Sequence, residues 1–329
     1  MTTTRTLAGL PVNPIGLGCM NLSHAYGHPP GAADGAKLLL EAIDLGVNHF
    51  DTATLYGFGS NETLVGQTLK PHRQHIFLAS KCGMAGVNGK RVIDGRPETL
   101  RRQADESLQR LQTDVIDLYY LHRWDKNVPI ADSMGALARL VEVGKIRHIG
   151  LSEVSAATLK QAHEIHPVAA VQNEYSLWTR NPELGTLAAC RSIGAAFVAF
   201  SPLGRGFLAN GLAHTADLAD NDIRRAMPRF SAENYPKNLR LLAAFKTLAS
   251  EVGCTPAQLA LAWLLAQDEH IIPIPGTTRT AHLAENNRAT SLNIPADILS
   301  RAGALINQQT VVGARYPAAT QSEIDTEEF

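Results

Sequence analysis

Eight short apolar runs alternate with longer stretches of helical pattern, and no other feature narrows the fold as far. The runs are Ile15–Leu17, VNHF (47–50), IFLAS (76–80), VIDLYYL (115–121), IRHIGL (146–151), AAVQ (169–172), AFVAF (196–200) and IIPI (271–274). Helices are expected near 33–46, 60–70, 97–111, 130–143, 155–163, 182–192, 239–252 and 279–288. Largely unbroken apolar runs suit strands buried on both faces, as in a parallel sheet covered by helices. One strand–helix rhythm without a Pro/Ser linker predicts a single α/β domain over 1–329, a (β/α)8 TIM barrel. An open doubly wound sheet is the alternative, but the GxGxxG fingerprint it would carry for a dinucleotide is absent.

Outside the repeat, two short runs within 5–18, around Gly9-Leu10-Pro11-Val12-Asn13, predict an N-terminal β-hairpin. Residues 295–308, opening on Pro295-Ala296-Asp297, predict an extra C-terminal helix. Residues 203–238 form a long insertion rich in Gly, Arg, Asn and Pro, the kind of loop that serves as a lid or binding loop. The tail 310–329 ends in SEIDTEEF and reads as a solvated terminus.

Thirty basic and 31 acidic side chains nearly cancel, so neither a nucleic acid nor a membrane surface is an expected partner. The four cysteines, Cys19, Cys82, Cys190 and Cys254, are scattered without a CxxC pair. They read as reduced thiols of a cytoplasmic protein, with no metal site implied.

Four ionisable residues follow strand ends. Asp51 and Tyr56 come after the second run, Lys81 after the third and His122 after the fourth. In a barrel, such positions converge on one rim, where the chemistry of this fold is carried out. A phenol with a pKa near 10 is a poor acid at neutral pH. A nearby ammonium stabilises its phenolate, a carboxylate keeps that ammonium charged, and a neutral imidazole can hydrogen-bond a substrate oxygen. The set suits proton transfer to a carbonyl oxygen as its carbon accepts a hydride or another nucleophile. Alone, each residue has an ordinary structural reading, such as a surface Lys or Asp, a core His or a loop-packing Tyr. A barrel lyase with Lys81 as a Schiff base is a further reading. A last motif lies in IIPIPGTTRT, where Pro275-Gly276 turns and Thr277-Thr278-Arg279 open a helix. Free N–H groups, two hydroxyls and a guanidinium there make an anion site, although an N-cap beside a surface Arg would look the same.

Eight segments in register carry a resemblance to a known family. They are GLGCM (16–20), FDTATLYGFGSNE (50–62), LASKCG (78–83), DLYYLHRWD (117–125), GKIRHIGLSE (144–153), VQNEYS (171–176), FSPLGRGFL (200–208) and IPGTTRTAHLAENN (274–287). On these the chain resembles the aldo-keto reductases over nearly its whole length, and HRWD, NEYSLWTR and SPLGRGFL are similar to the bacterial and plant aldehyde-reducing branch. The resemblance implies NADPH-dependent reduction of aldehydes and some ketones. Tyr56 would be the proton donor, Lys81 would lower its pKa, Asp51 would hold Lys81, and His122 would orient the carbonyl. The hydride would come from nicotinamide C4.

For the cofactor, the resemblance implies Ser152 and Gln172 at the carboxamide and Phe200 stacked on the nicotinamide, with Met20 and Asp51 nearby. Ser201, Pro202, Leu203, Gly204, Arg205 and Gly206 would wrap the pyrophosphate. Gly276, Thr277, Thr278 and Arg279 would hold the 2′-phosphate, with His282, Glu285 and Asn286 toward the adenine; NADH stays open as a second cofactor. Glu153 stands where the family usually has Asn. The insertion, with Arg224, Arg225 and Arg229, would close over the cofactor. Met20, Tyr26, Trp124 and Trp178 are expected around a small carbonyl substrate, and no dedicated carboxylate clamp is visible. A regulatory or redox-sensing cofactor-binding subunit is the competing function. A homo-oligomer is left open.

Overall fold

A computed structural model describes residues 4–209 and 211–329. Strands β1 (Arg5–Leu7) and β2 (Leu10–Val12) form the expected hairpin. Then follow β3 (Leu17–Gly18), α1 (Ala32–Asp44), β4 (His49–Asp51), α2 (Ser60–Leu69) and β5 (Phe77–Cys82). A second hairpin of β6 (Met84–Val87) and β7 (Lys90–Ile93), which the sequence pattern did not reveal, precedes α3 (Pro97–Leu111). The alternation resumes with β8 (Ile116–Leu121), α4 (Ile130–Glu142), β9 (Ile146–Ser152), α5 (Ala156–Ile165), β10 (Val168–Glu174), α6 (Thr186–Ile193) and β11 (Ala196–Phe200). The chain continues through α7 (Tyr235–Glu251), α8 (Pro256–Gln267), β12 (Ile271–Pro273), α9 (Thr280–Arg288), α10 (Ala296–Leu305) and α11 (Ala318–Gln321).

Eight parallel strands pair in the order β12-β11-β10-β9-β8-β5-β4-β3. The seam is bridged by backbone bonds from Gly16 N to Pro273 O (3.0 Å) and from Gly18 N to Pro275 O (3.3 Å), so the sheet curls into a barrel. Only glycine fits this seam at position 18, where a Cβ would lie 2.8 Å from Ile274 O. All six residues of β5 and of β8 are buried, which accounts for their continuous apolar text. Leu7 and Val12 of the hairpin join Phe77, Leu118, Ala170, Ala196 and Ile272 in one buried inner cluster, so the hairpin plugs the barrel floor.

Two sequence expectations need correction. The 239–252 pattern belongs to α7, which packs on α10, whereas α8 precedes the eighth strand and packs on it. Helix α8 escaped notice because PAQLALAWLLAQ is apolar all round and buries eight residues, leaving no amphipathic period. Its Thr255/Gln258 capping box was the readable signal. The tail is not a solvated terminus. Arg315 is buried between Glu153 and Glu174, and Asp325 accepts from Ser155 N and Thr158 Oγ1 at the start of α5. Glu327 accepts from Ala156 N and Thr186 Oγ1. Asp325 and Glu327 thus sit at helix N-termini, where negative charge is favoured, while Glu323 pairs with Arg91. The insertion rests on aromatic packing, in which Trp178 stacks on Phe207 (4.2 Å) and Phe230 on Tyr235 (5.4 Å).

Helices α2 and α3 meet at Gly66, where a Cβ would lie 2.4 Å from Arg110 O and 2.5 Å from Leu111 Cα. Backbone cannot yield as a side chain can. Gly66→Ala should therefore cost about 1–3 kcal/mol, read as a lower denaturant midpoint. An unchanged midpoint would show that the two helices have room to separate.

Candidate active site

Asp51 ends β4, Lys81 lies on β5, and His122 follows β8, so three neighbouring strands deliver them to one rim. Tyr56 is set by the turn after β4, in which Gly57, Phe58 and Gly59 all have positive φ. Lys81, fully buried, is ion-paired to Asp51 and donates to Thr52 O (2.9 Å) and to the Tyr56 hydroxyl (3.1 Å). Because the Tyr56 oxygen accepts from Lys81, its own proton is free to point elsewhere. Gln172 Nε2 donates to the other Asp51 oxygen (2.7 Å). The His122 ring stands edge-on to Tyr56, with centroids 5.8 Å apart, and its Nδ1 is buried without a partner among the described residues.

Burial pushes the Tyr56 phenol up, with Lys81 opposing, so the hydroxyl keeps its proton at neutral pH. Burial also works against the Lys81 ammonium, but Asp51 and Tyr56 together overcome it and hold its pKa above the usual value. Burial, with the charges of Lys81 and Arg123, holds His122 well below its usual pKa, in the neutral form. A protonated phenol, a charged ammonium and a neutral imidazole thus share one site. The sign of each is set by desolvation and the Asp51–Lys81 pair.

These groups open on a cavity of about 990 Å³. Tyr56, His122 and Asp51 line it, with Lys81 behind Tyr56. Ser152, Gln172 and Phe200 lie along one wall, followed by Ser201, Pro202, Leu203, Arg205 and Gly206. Gly276, Thr277, Thr278, Arg279, His282, Glu285 and Asn286 line the cavity beyond β12. Arg279 caps α9 and is exposed, and its N–H is fixed by Thr277 Oγ1 (3.1 Å). Met20 and Tyr26 also line the cavity.

Several expected residues sit elsewhere. Trp178 is buried under the insertion against Phe207 and Phe230, and Trp124 packs on the core with its indole N–H on Val128 O (3.0 Å). Neither lines the cavity. Gly204 lies just behind its wall, against Trp178. The Arg205 guanidinium is committed to Glu174 (2.7 Å) and the Tyr316 hydroxyl (2.9 Å). Of the insertion's arginines, Arg224 lines the cavity. Arg225 donates to Leu218 O, and half-buried Arg229 donates to Trp178 O and Thr179 Oγ1. Glu153 accepts from Arg315 and from Glu174 N and is turned to the tail.

The sequence also hid some lining residues. His24 leans on Tyr56 (5.8 Å), and burial depresses its pKa. Arg91, Arg123 and Tyr316 complete the wall. His24 shares a loop with Met20 and Tyr26, and Arg123 follows His122 directly, which were the available signals.

Comparison with known proteins assigns this barrel, with its buried Lys–Asp pair against a tyrosine, to a class of oxidoreductases. The aldo/keto reductase family model matches residues 14–306. The chain is 42% identical over 328 residues to the NADP(+) aldo-keto reductase yakc of Schizosaccharomyces pombe, covering 98% of this chain and 96% of that one. It is also 42% identical over 310 residues to a probable aldo-keto reductase of Glycine max, covering 94% and 89%. Among solved structures, the glycerol dehydrogenase of Gluconobacter oxydans superposes with a TM-score of 0.86 at 26% identity, covering 96% of this chain and 98% of that chain. The holo form of an aldo-keto reductase from Bacillus halodurans gives 0.78 at 26% identity, covering 95% and 98%. The chain belongs to the aldo-keto reductase family and is an oxidoreductase.

Proposed function

We propose that the chain reduces aldehydes and some ketones to alcohols with NADPH, with Tyr56 as the proton donor. The observation that carries this reading is the donation from the buried Lys81 ammonium to the Tyr56 hydroxyl at the mouth of the cavity. A bound reduced nicotinamide supplies the hydride. The chain's residues do the rest. Tyr56 releases its proton to the carbonyl oxygen, and Lys81 stabilises the phenolate left behind. Asp51 keeps Lys81 charged, and Gln172 keeps Asp51 oriented. Neutral His122 donates to the same carbonyl oxygen and fixes its direction.

The part of the cavity lined by the start of α9 fits an anionic cofactor. Thr277, Thr278 and the start of α9 offer hydroxyls and N–H groups, and Arg279 is in no ion pair among the described residues. Ser152, Gln172 and Phe200 would take the nicotinamide, and the backbone of 201–206 the pyrophosphate. The NADP(+) in the name of the Schizosaccharomyces relative supports NADPH over NADH. Arg279→Ala should weaken NADPH binding by about tenfold or more while leaving NADH little changed, because only NADPH carries the 2′-phosphate. Fluorescence titration with both cofactors measures this; equal weakening of the two would remove Arg279 from the 2′-phosphate.

The reading itself is tested by NADPH consumption against a panel of neutral aldehydes and ketones. Turnover of several aldehydes supports it. Tight NADPH binding with no carbonyl reduced would favour a regulatory cofactor-binding subunit.

A further inference from the structure

The cavity is lined by several guanidiniums, and most are already neutralised. Arg91 pairs with Glu323, Arg205 with Glu174 and Arg224 with Asp222. Behind Tyr56, Lys81 is matched by Asp51. Among the described residues, two cavity-lining guanidiniums are in no ion pair, Arg123 and Arg279. They stand on opposite sides of the barrel. Arg279 follows β12, whereas Arg123 follows β8, four strands away in a sheet of eight. Phosphates held beside Arg279 leave Arg123 unanswered.

The local geometry of Arg123 is that of a prepared donor. Its Nη1 donates to His122 O (2.7 Å) and Ser152 Oγ (3.3 Å), which anchors the group beside the reacting tyrosine and histidine. Its Nε and Nη2 donate to no protein atom among the described residues. Those two nitrogens form one edge of the guanidinium fork, whose spacing matches the two oxygens of a carboxylate. One unpaired positive charge matches one carboxylate.

We infer that Arg123 binds a carboxylate on the substrate, so that the preferred substrates are aldehydes or ketones bearing a carboxylate. The inference rests on the reductase reading of the cavity and names the substrate class of that same site. A neutral analogue would fill the same space and leave the guanidinium fork unused, which is the larger penalty in a partly enclosed site.

Two matched pairs test it, 4-carboxybenzaldehyde against 4-formylbenzamide and succinic semialdehyde against 4-oxobutanamide. Wild type should favour the acid in at least one pair by about tenfold or more in kcat/KM, mainly through KM. The preference should vanish in Arg123→Gln and return in part in Arg123→Lys. Reading the ratio within each pair cancels any general loss of activity. In parallel, 4-(hydroxymethyl)benzoate is titrated calorimetrically into the NADP(+)-bound protein, where Arg123→Gln should weaken binding by a similar factor. No preference for either acid, or an equal fall for acid and amide in Arg123→Gln, would overturn the inference. If no aldehyde of any kind is reduced, the reductase reading fails, and the calorimetric comparison still decides whether Arg123 holds a carboxylate.

Discussion

Tyr56→Phe should lose aldehyde reduction by about 10²–10⁴-fold in kcat while binding NADPH as the wild type does. The change removes one oxygen from a ring held edge-on by His122 and covered by Lys81, whose Nζ lies 4.8 Å from the ring centroid. Packing is preserved, so the loss reports chemistry and not folding. Lys81 keeps its ion pair with Asp51 and its bond to Thr52 O, and the ammonium therefore stays in place without the phenol. Stopped-flow NADPH oxidation and a cofactor titration measure the two quantities. A variant within a few-fold of wild type would assign the proton to another group, with His24 and His122, each 5.8 Å from the Tyr56 ring, as the candidates.

The second large effect is on stability. Arg315→Met should destabilise the protein by about 3–5 kcal/mol, because it leaves the Glu153 carboxylate buried without its cation and strips one of the cations from Glu174. The drop in Tm should be on the order of 5–10 °C, with Arg315→Lys recovering part of it. The effect should depend on pH. Burial raises the Glu174 pKa, but Arg205, Arg315 and Arg229 outweigh it and hold the group at about 2. A depressed folded-state pKa stabilises fully above the unfolded value near 4.3 and is lost as pH falls from there toward 2. The gap in Tm between wild type and Arg315→Met should therefore be widest near pH 7 and narrow below pH 4. A gap that stays constant through that range would mean that the lost stability comes from packing of the tail and not from the charge network.

That network marks the boundary of what the sequence could reveal. Asp51, Tyr56, Lys81 and His122 were legible because each follows a strand, and a barrel sends all strand ends to one rim. Ser152, Gln172 and Phe200 were singled out by the family resemblance, and all three line the cavity. Arg205 was misjudged because its partner Glu174 lies 31 residues away in sequence, and local text does not tell a free guanidinium from a paired one. Glu153, Arg315 and the acidic tail posed the same problem over 162 residues. Trp178 read as a binding-site aromatic because it is large and lies on a loop, yet its ring anchors the insertion through Phe207. Helix α8 was hidden by its complete burial, which erases the polar face that periodicity needs. Residues whose role is set by the local strand-end position could be read, whereas those whose role depends on a distant partner could not.

The most direct test of the central claim follows the hydride. A neutral aldehyde is reduced with NADPH deuterated at both C4 positions, and the alcohol is analysed by mass spectrometry and NMR. One deuterium on the carbinol carbon of each product molecule is the predicted result. An alcohol without deuterium on that carbon, or NADPH consumed with no alcohol formed, would contradict the account.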